Sequence, residues 1–163
     1  MMIRPATDAD AERIATLWND IILTSLATFT TKVKSVSAVR ELIQDRSEAF
    51  WVIDAEGDSD LGFVTYGPFR AGPGFAATVE HTVILGPSAQ GRGYGRQLMT
   101  HALAAAAEQG HHVMVAGISS ANPAAVAFHH ALGFHQTGHI PEVGRKSGQW
   151  LDLILMQKTL QAP

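Results

Sequence analysis

The chain reads as an α/β protein, a mixed sheet with helices on both faces. Two observations predict this. Segments rich in β-branched residues alternate with segments whose apolar residues recur at helical spacing, in the order β-α-α-β-β-β-α-β-α-β-β. The run Gln90-Gly91-Arg92-Gly93-Tyr94-Gly95-Arg96 then joins one such strand directly to a long Ala-rich helix. With 163 residues and 46% hydrophobic content the chain can bury one good core but has no length for a second, so a single domain over residues 1–163 is expected.

Each element has its own signal. Ile3-Arg4 starts a short strand, and Thr7-x-x-Asp10 makes a capping box for a helix with the stripe Ile14, Leu17, Trp18 and Ile21. A second helix runs from Ser35 or Ser37 to Asp45. Phe50 to Asp54 is a strand, Glu56-Gly57-Asp58 a turn, and Leu61 to Tyr66 the antiparallel return. Pro68 to Gly74, rich in turn formers, reads as a substrate-side loop. Thr78 to Leu85 is a β-branched strand, and the helix from Tyr94 to Gln109 carries Leu98, Met99, Ala102, Leu103 and Ala106 on one face. His112 to Ile118 is a buried strand. Asn122 is a good N-cap, Pro123 suits the first helical position and Gly133 is a natural stop, which defines the next helix. One more strand precedes the last, Trp150 to Gln157, and no repeat, low-complexity tract or linker interrupts the order.

Composition removes several classes of function. There is no cysteine, so disulfides and thiolate chemistry are excluded and any thioester belongs to a ligand. Met1-Met2-Ile3-Arg4-Pro5 leads straight into a polar helix start, and no stretch approaches ~20 apolar residues, which predicts a cytoplasmic protein without a membrane partner. Net charge is −3 and the twelve basic residues are scattered, which argues against nucleic acid and for a small-molecule partner. The eight histidines do not make a metal site: His111-His112 and His129-His130 are adjacent pairs that diverge, and no His-Glu-x-x-His occurs.

The glycine run has the chemistry of a pyrophosphate cradle. Glycines let the backbone approach a bulky anion, and the first amides of the following helix point outward at the positive end of its dipole. A P-loop would end in Gly-Lys-Ser/Thr, whereas Gly95 precedes Arg96-Gln97. A dinucleotide fingerprint needs Gly-x-Gly-x-x-Gly, whereas the spacing here is Gly91-x-Gly93-x-Gly95, with no carboxylate at the appropriate distance. From the glycines alone, a purely structural turn is the remaining alternative.

Gln90-x-x-Gly93-x-Gly95 resembles the acyl-CoA signature of the GNAT superfamily of N-acyltransferases, Gln/Arg-x-x-Gly-x-Gly/Ala. The block from Asn122 to Phe134, a helix opened by Asn and closed by Leu-Gly-Phe, is similar to the superfamily's later motif. Across nearly the whole chain the resemblance narrows to the phosphinothricin and methionine sulfoximine/sulfone acetyltransferase branch. Its marks are Thr78-Val79-Glu80-His81, His111 to Ile118, and Val143-Gly144-x-Lys146-x-Gly148-x-Trp150-Leu151-Asp152. The resemblance implies a mostly antiparallel GNAT-like sheet, acetyl-CoA as co-substrate, no metal, and a homodimer. Position 129 departs from many superfamily members: His129 stands where they carry the tyrosine thought to protonate the leaving thiolate.

Acyl transfer to an amine sets four demands. The carrier must be held, and Gln90, Gly91, Arg92, Gly93, Tyr94, Gly95 and Arg96, with Asn122 by resemblance, are the expected cofactor-binding residues. The thioester oxygen needs a donor, which the resemblance places on a backbone amide among Val83, Ile84 and Leu85. The ammonium must lose a proton, because at a pKa of about 8 only about one-tenth is neutral at pH 7. Glu80 and His81 are the candidates, on opposite faces of one strand, and the resemblance favours Glu80, the carboxylate of the branch's Val-Glu-His. The leaving thiolate takes a proton, which His129 can supply. Without cysteine no acyl-enzyme is expected, so attack is direct, within a ternary complex.

For the substrate, Arg70 offers a bidentate clamp for a carboxylate. The resemblance adds Phe29, Pro73, Gly74, Phe75, Glu80 and Lys146 to the pocket, with Thr30 where many relatives are acidic. The expected substrate is the amino group of a small amino-acid-like molecule such as methionine sulfone, methionine sulfoximine or phosphinothricin. The alternatives are a GNAT enzyme for another amine (polyamine, aminoglycoside or protein N-terminus) and a non-catalytic acyl-CoA sensor.

Overall fold

The computed structural model describes residues 2–55 and 58–161. Its elements are β1 (Met2–Pro5), α1 (Ala11–Thr24), α2 (Val36–Asp45), β2 (Phe50–Ala55), β3 (Asp58–Pro68), β4 (Thr78–Leu85), α3 (Tyr94–Glu108), β5 (Val113–Ser119), α4 (Pro123–Ala131), β6 (His135–Lys146) and β7 (Gln149–Thr159). This is the order the sequence predicts. The turn expected at Glu56-Gly57 lies outside the described residues, and Asp58 already pairs with Ala55 in the sheet. Thr7 caps as expected, its N–H donating to the Asp10 carboxylate at 2.7 Å, but the first turn is a 3-10 turn over Asp8–Asp10 and α1 begins at Ala11. At α2, Ser35 and not Ser37 is the N-cap, accepting from the Ala38 N–H at 3.0 Å.

The seven strands lie in the order β1-β2-β3-β4-β5-β7-β6, and only β4 and β5 run parallel. The period-2 alternation of the strands sorts their side chains into two cores. On one face Phe63 and Ile84 join Ile14, Trp18 and Ile22 of α1 and Val39 and Ile43 of α2. On the other, Val64, Tyr66 and Val79 meet Leu98, Met99 and Ala102 of α3, with Phe134 beyond. Fully buried Phe50 and Phe63 stack at 5.6 Å, and each contributes about 1.5–3 kcal/mol by leaving water.

One feature of the sheet positions everything else. β4 stays paired with β3 to its end, Leu85 opposite Gly62, and β5 stays paired with β7 to Ser119 opposite Leu153. Between each other, β4 and β5 register only from Thr78↔Val113 to Glu80↔Val115. Past Glu80 the sheet is split.

Candidate active site

The glycine run folds as a left-handed turn into α3. Gly91 and Gly93 have φ of 74° and 81°, where an L side chain is strained, and nothing lies within 4 Å of the space a Cβ would take. Gly93 is the N-cap and has no side chain to offer, and the first turn of α3 carries no acidic residue. The amides of Tyr94, Gly95 and Arg96 therefore face outward at the positive helix end. Arg92 and Arg96 are exposed there, Arg92 resting 4.9 Å over the Tyr94 ring and donating to the Ser88 carbonyl at 3.3 Å. Exposed Gln90 borders the turn. A turn of this kind offers backbone N–H groups and positive charge to an anion.

Two of its residues also pack inward. The Tyr94 side chain is buried in the α3 core, so it can offer a ligand only its backbone N–H. Gly95 is a packing glycine: a Cβ would stand 3.2 Å from Leu85 Cδ1 and 3.3 Å from Phe128 Cζ, so its absence lets α3 meet β4 and α4.

Backbone direction along β4 follows from its flanks. The Phe69 N–H donates to the Thr78 carbonyl, while the N–H groups of His112 and Val113 both donate to the Ala77 carbonyl. Even-numbered residues thus turn their backbone groups to β3 and odd-numbered ones toward β5. Beyond Glu80 that second side is the split, so the N–H groups of Val83 and Leu85 look into it. The N–H of Ile84 faces β3, and its side chain packs in the α1/α2 core at the edge of the same split.

A cavity of about 430 Å³ fills the split, lined by Phe29, Glu80, His81, Val83, Gly117, Asn122 and His129 among others. Burial pushes the Glu80 carboxyl above its ordinary range, which makes its carboxylate a stronger base. Its Oε1 lies 2.8 Å from where a Cβ on Gly117 would be, so Gly117 is the seat of this carboxyl. The Phe29 ring is seated likewise on Gly144, whose Cβ would come within 3.0 Å of it. Lys146 is buried, and its ammonium donates to the Thr28 carbonyl at 3.0 Å and hydroxyl at 3.1 Å. It tethers the Phe29 segment and does not line the cavity. Asn122 spends its side-chain oxygen as N-cap of α4, accepting from the Ala125 N–H at 3.3 Å.

His81 leaves β4 on the face opposite Glu80 and meets His129 of α4, their Nε2 atoms 2.9 Å apart. His81 Nδ1 lies 3.1 Å from the Val115 carbonyl and His129 Nδ1 2.7 Å from that of Ala125. Burial, then the neighbouring His129, lower the pKa of His81, against the opposing hydrogen bond to Val115. Burial also lowers that of His129. The sequence places these residues on a strand and a helix but carries no signal of their contact.

The expected substrate loop lies elsewhere in the chain. Arg70, Gly72 and Phe75 border a second cavity of about 580 Å³ with Arg46 and Gln109. Pro73–Phe75 is a 3-10 turn, Gly74 is exposed, and Arg70 lies 5.4 Å over the Phe69 ring. Neither Arg70 nor Phe75 lines the cavity of Glu80. Arg46, which the sequence does not single out, packs its guanidinium on Gly67 and donates to the Thr65 hydroxyl at 3.3 Å. Among the described residues no group of three or more His, Cys, Asp or Glu could hold a metal ion.

The split, the strand amides that face it, the Glu80 carboxyl and the glycine turn into α3 meet along β4 and the start of α3. The chain belongs to the acetyltransferase (GNAT) family, whose model matches residues 18–134. It is 36% identical over 162 residues to the L-methionine sulfoximine/L-methionine sulfone acetyltransferase of Salmonella typhimurium, covering 98% of this chain and 95% of that protein. It is 32% identical to the phosphinothricin N-acetyltransferase of Streptomyces coelicolor, covering 98% and 96%. The structure of yncA from Salmonella typhimurium with its cofactor acetyl-CoA superposes with a TM-score of 0.93 at 36% identity, covering 100% of this chain and 95% of that one.

Proposed function

We propose that this chain is a single-domain, acetyl-CoA-dependent N-acetyltransferase for the amino group of a small amino-acid-like substrate of the methionine sulfone, methionine sulfoximine or phosphinothricin type. The observation that carries the reading is that the Glu80 carboxyl, Val83, whose N–H faces the split, and His129 line one cavity there. Gly95 of the cradle packs on Leu85, at the end of the strand that carries Glu80 and Val83, and on Phe128, which precedes His129 on α4.

Gly91, Gly93 and the first amides of α3, with Arg92 and Arg96, would hold the diphosphate. Acetyl-CoA supplies an activated acetyl carbonyl. Glu80 accepts the proton of the substrate ammonium, directly or through water, a task its burial suits because a base works best with a pKa near the working pH. Val83 and Leu85 offer N–H donors to an oxygen gaining negative charge in a water-poor cleft. Phe29, held by Lys146 through Thr28 and seated on Gly144, walls the amine side. In this reading His129, which lines the same cavity, protonates the departing thiolate.

Arg70 belongs to this reading as a carboxylate clamp only if the loop after β3 reaches a cavity other than its own. A homodimer supplies that possibility, and we propose one, in the cytoplasm. Among the described residues no helix is long and apolar enough to cross a membrane. The test is thiol release from acetyl-CoA with L-methionine sulfone, L-methionine sulfoximine, L-phosphinothricin, spermidine and an aminoglycoside offered in parallel. Turnover confined to the first three is expected; turnover with spermidine or the aminoglycoside alone overturns the substrate class.

A further inference from the structure

The four ring nitrogens of His81 and His129 are fixed by their partners. A carbonyl oxygen only accepts, so the contacts of His81 Nδ1 with Val115 and of His129 Nδ1 with Ala125 both require a proton on Nδ1. Two neutral rings in that state would present bare lone pairs to each other across the 2.9 Å between their Nε2 atoms. The other neutral arrangement moves a proton from one Nδ1 to its Nε2 and turns a lone pair on a carbonyl oxygen. One added proton removes the conflict: Nε2–H donates to Nε2 and all three contacts are satisfied. A second would set two cations side by side in a buried site.

From this geometry we propose that His81 and His129 share one proton between their Nε2 atoms, and that His129 hands this proton to the sulfur leaving the acetyl group. The inference rests on the acetyl-transfer reading for its second half only. The substrate ammonium gives up two protons as its nitrogen joins the acetyl carbon. Glu80 takes the first before attack and passes it to solvent, and the second goes to water as the N–C bond forms. His129 gives the shared proton to sulfur as the C–S bond breaks with its electron pair on sulfur. The neutral pair regains one proton from water, so the net release is one proton. His81 touches no reacting atom; it is a positioning residue that raises the affinity of His129 for a proton against the effect of burial.

The charged and titratable groups around the pair leave it isolated. Tyr66, opposite His81 on β3, donates its hydroxyl to Gln109 at 2.7 Å. Lys158 of β7 donates to the Leu132 carbonyl at 2.6 Å. Glu80 lies on the opposite face of β4, and Phe134 packs on both rings at 5.7 and 5.2 Å.

The first test is imidazole NMR on 15N-histidine protein without substrate or cofactor. The expected spectrum has both Nδ1 atoms protonated and one strongly downfield proton coupled to both Nε2 atoms near neutral pH; two neutral rings with one bare Nδ1 overturn the proposal, whatever the enzyme's activity. The second test is the pH profile of kcat. In the wild type kcat falls on the alkaline side as the pair loses its proton. His129→Gln should lower kcat about 10²-fold and abolish that limb, and His81→Gln should move the limb to lower pH. An unmoved limb in both variants overturns proton delivery. Because NMR needs no turnover, a shared proton in a protein that acetylates none of the amines offered would sink the function and leave the pair standing.

Discussion

Gly117→Ala separates chemistry from stability at a single atom. A Cβ built on Gly117 stands 2.8 Å from Glu80 Oε1 and 3.5 Å from Leu153 Cδ1. The second contact is ordinary. The first falls well short of a van der Waals separation, so the carboxyl must retreat by about 0.5 Å or more, and a displacement of about 1 Å can cost 10²-fold in rate. For the fold the retreat is cheap, because the atom displaced is the free end of a flexible side chain. Replacing a strand glycine by alanine also recovers about 0.5–1 kcal/mol of backbone entropy. The expected outcome is a kcat lowered about 10- to 100-fold in the thiol-release assay, with the urea midpoint unchanged or raised. Acetyl-CoA affinity by calorimetry should be unaltered, because the cradle lies on α3. A kcat within twofold of wild type refutes Glu80 as the base at this position. A parallel loss of acetyl-CoA affinity refutes the separation of base and cradle.

Other substitutions probe the remaining parts. Glu80→Gln keeps the shape of the side chain and removes the base: kcat should fall about 10²-fold near pH 7 and approach wild type at high pH, where the amine is already free. In the wild type the acid limb should lie above the ordinary glutamate range, because burial raises this pKa and protonation as pH falls removes the base; a limb at or below that range counts against it. Gly93→Asp should abolish acetyl-CoA binding by calorimetry, since it sets a carboxylate and a strained φ in the anion cradle, and unchanged binding would end the cradle reading. Lys146→Met loses both hydrogen bonds to Thr28 and should raise the KM for the amine several-fold with acetyl-CoA affinity intact; the reverse pattern would place Phe29 outside the amine wall.

The order of elements was legible because each carried its own punctuation: Ser35 and Asn122 as caps, Pro123 at a helix start, and the Gly91 to Gly95 turn. The opposite facing of Glu80 and His81 was legible too, since strand alternation is a local rule. What the sequence could not show is set by distance along the chain. His81 and His129 are 48 residues apart, and Lys146 reaches Thr28 across 118. The split is also non-local, because it arises where two strands, each still paired on its outer side, cease to pair with one another. The Arg70 loop was placed from sequence by order alone, which fixes its strand neighbours but not the cavity it borders.

Glycine does two different jobs in this site, and backbone angle tells them apart. Gly91 and Gly93 are needed for their conformation: φ is positive and the space at Cβ is open. Gly95, Gly117 and Gly144 are not among the positive-φ residues, and each is needed because a neighbour occupies the place of its Cβ: Phe128 and Leu85, the Glu80 carboxyl, and the Phe29 ring. The first job shapes the backbone that meets the carrier; the second brings side chains flat against a strand or helix. Alanine should therefore act differently in the two sets. At Gly93 it strains the turn by about 1–2 kcal/mol and lowers acetyl-CoA affinity. At Gly117 and Gly144 it leaves that affinity alone and disturbs the proton transfer and the amine site respectively. In the proposed function carrier binding and chemistry rest on separate glycines, and a substitution at Gly144 that altered only acetyl-CoA affinity would contradict this division.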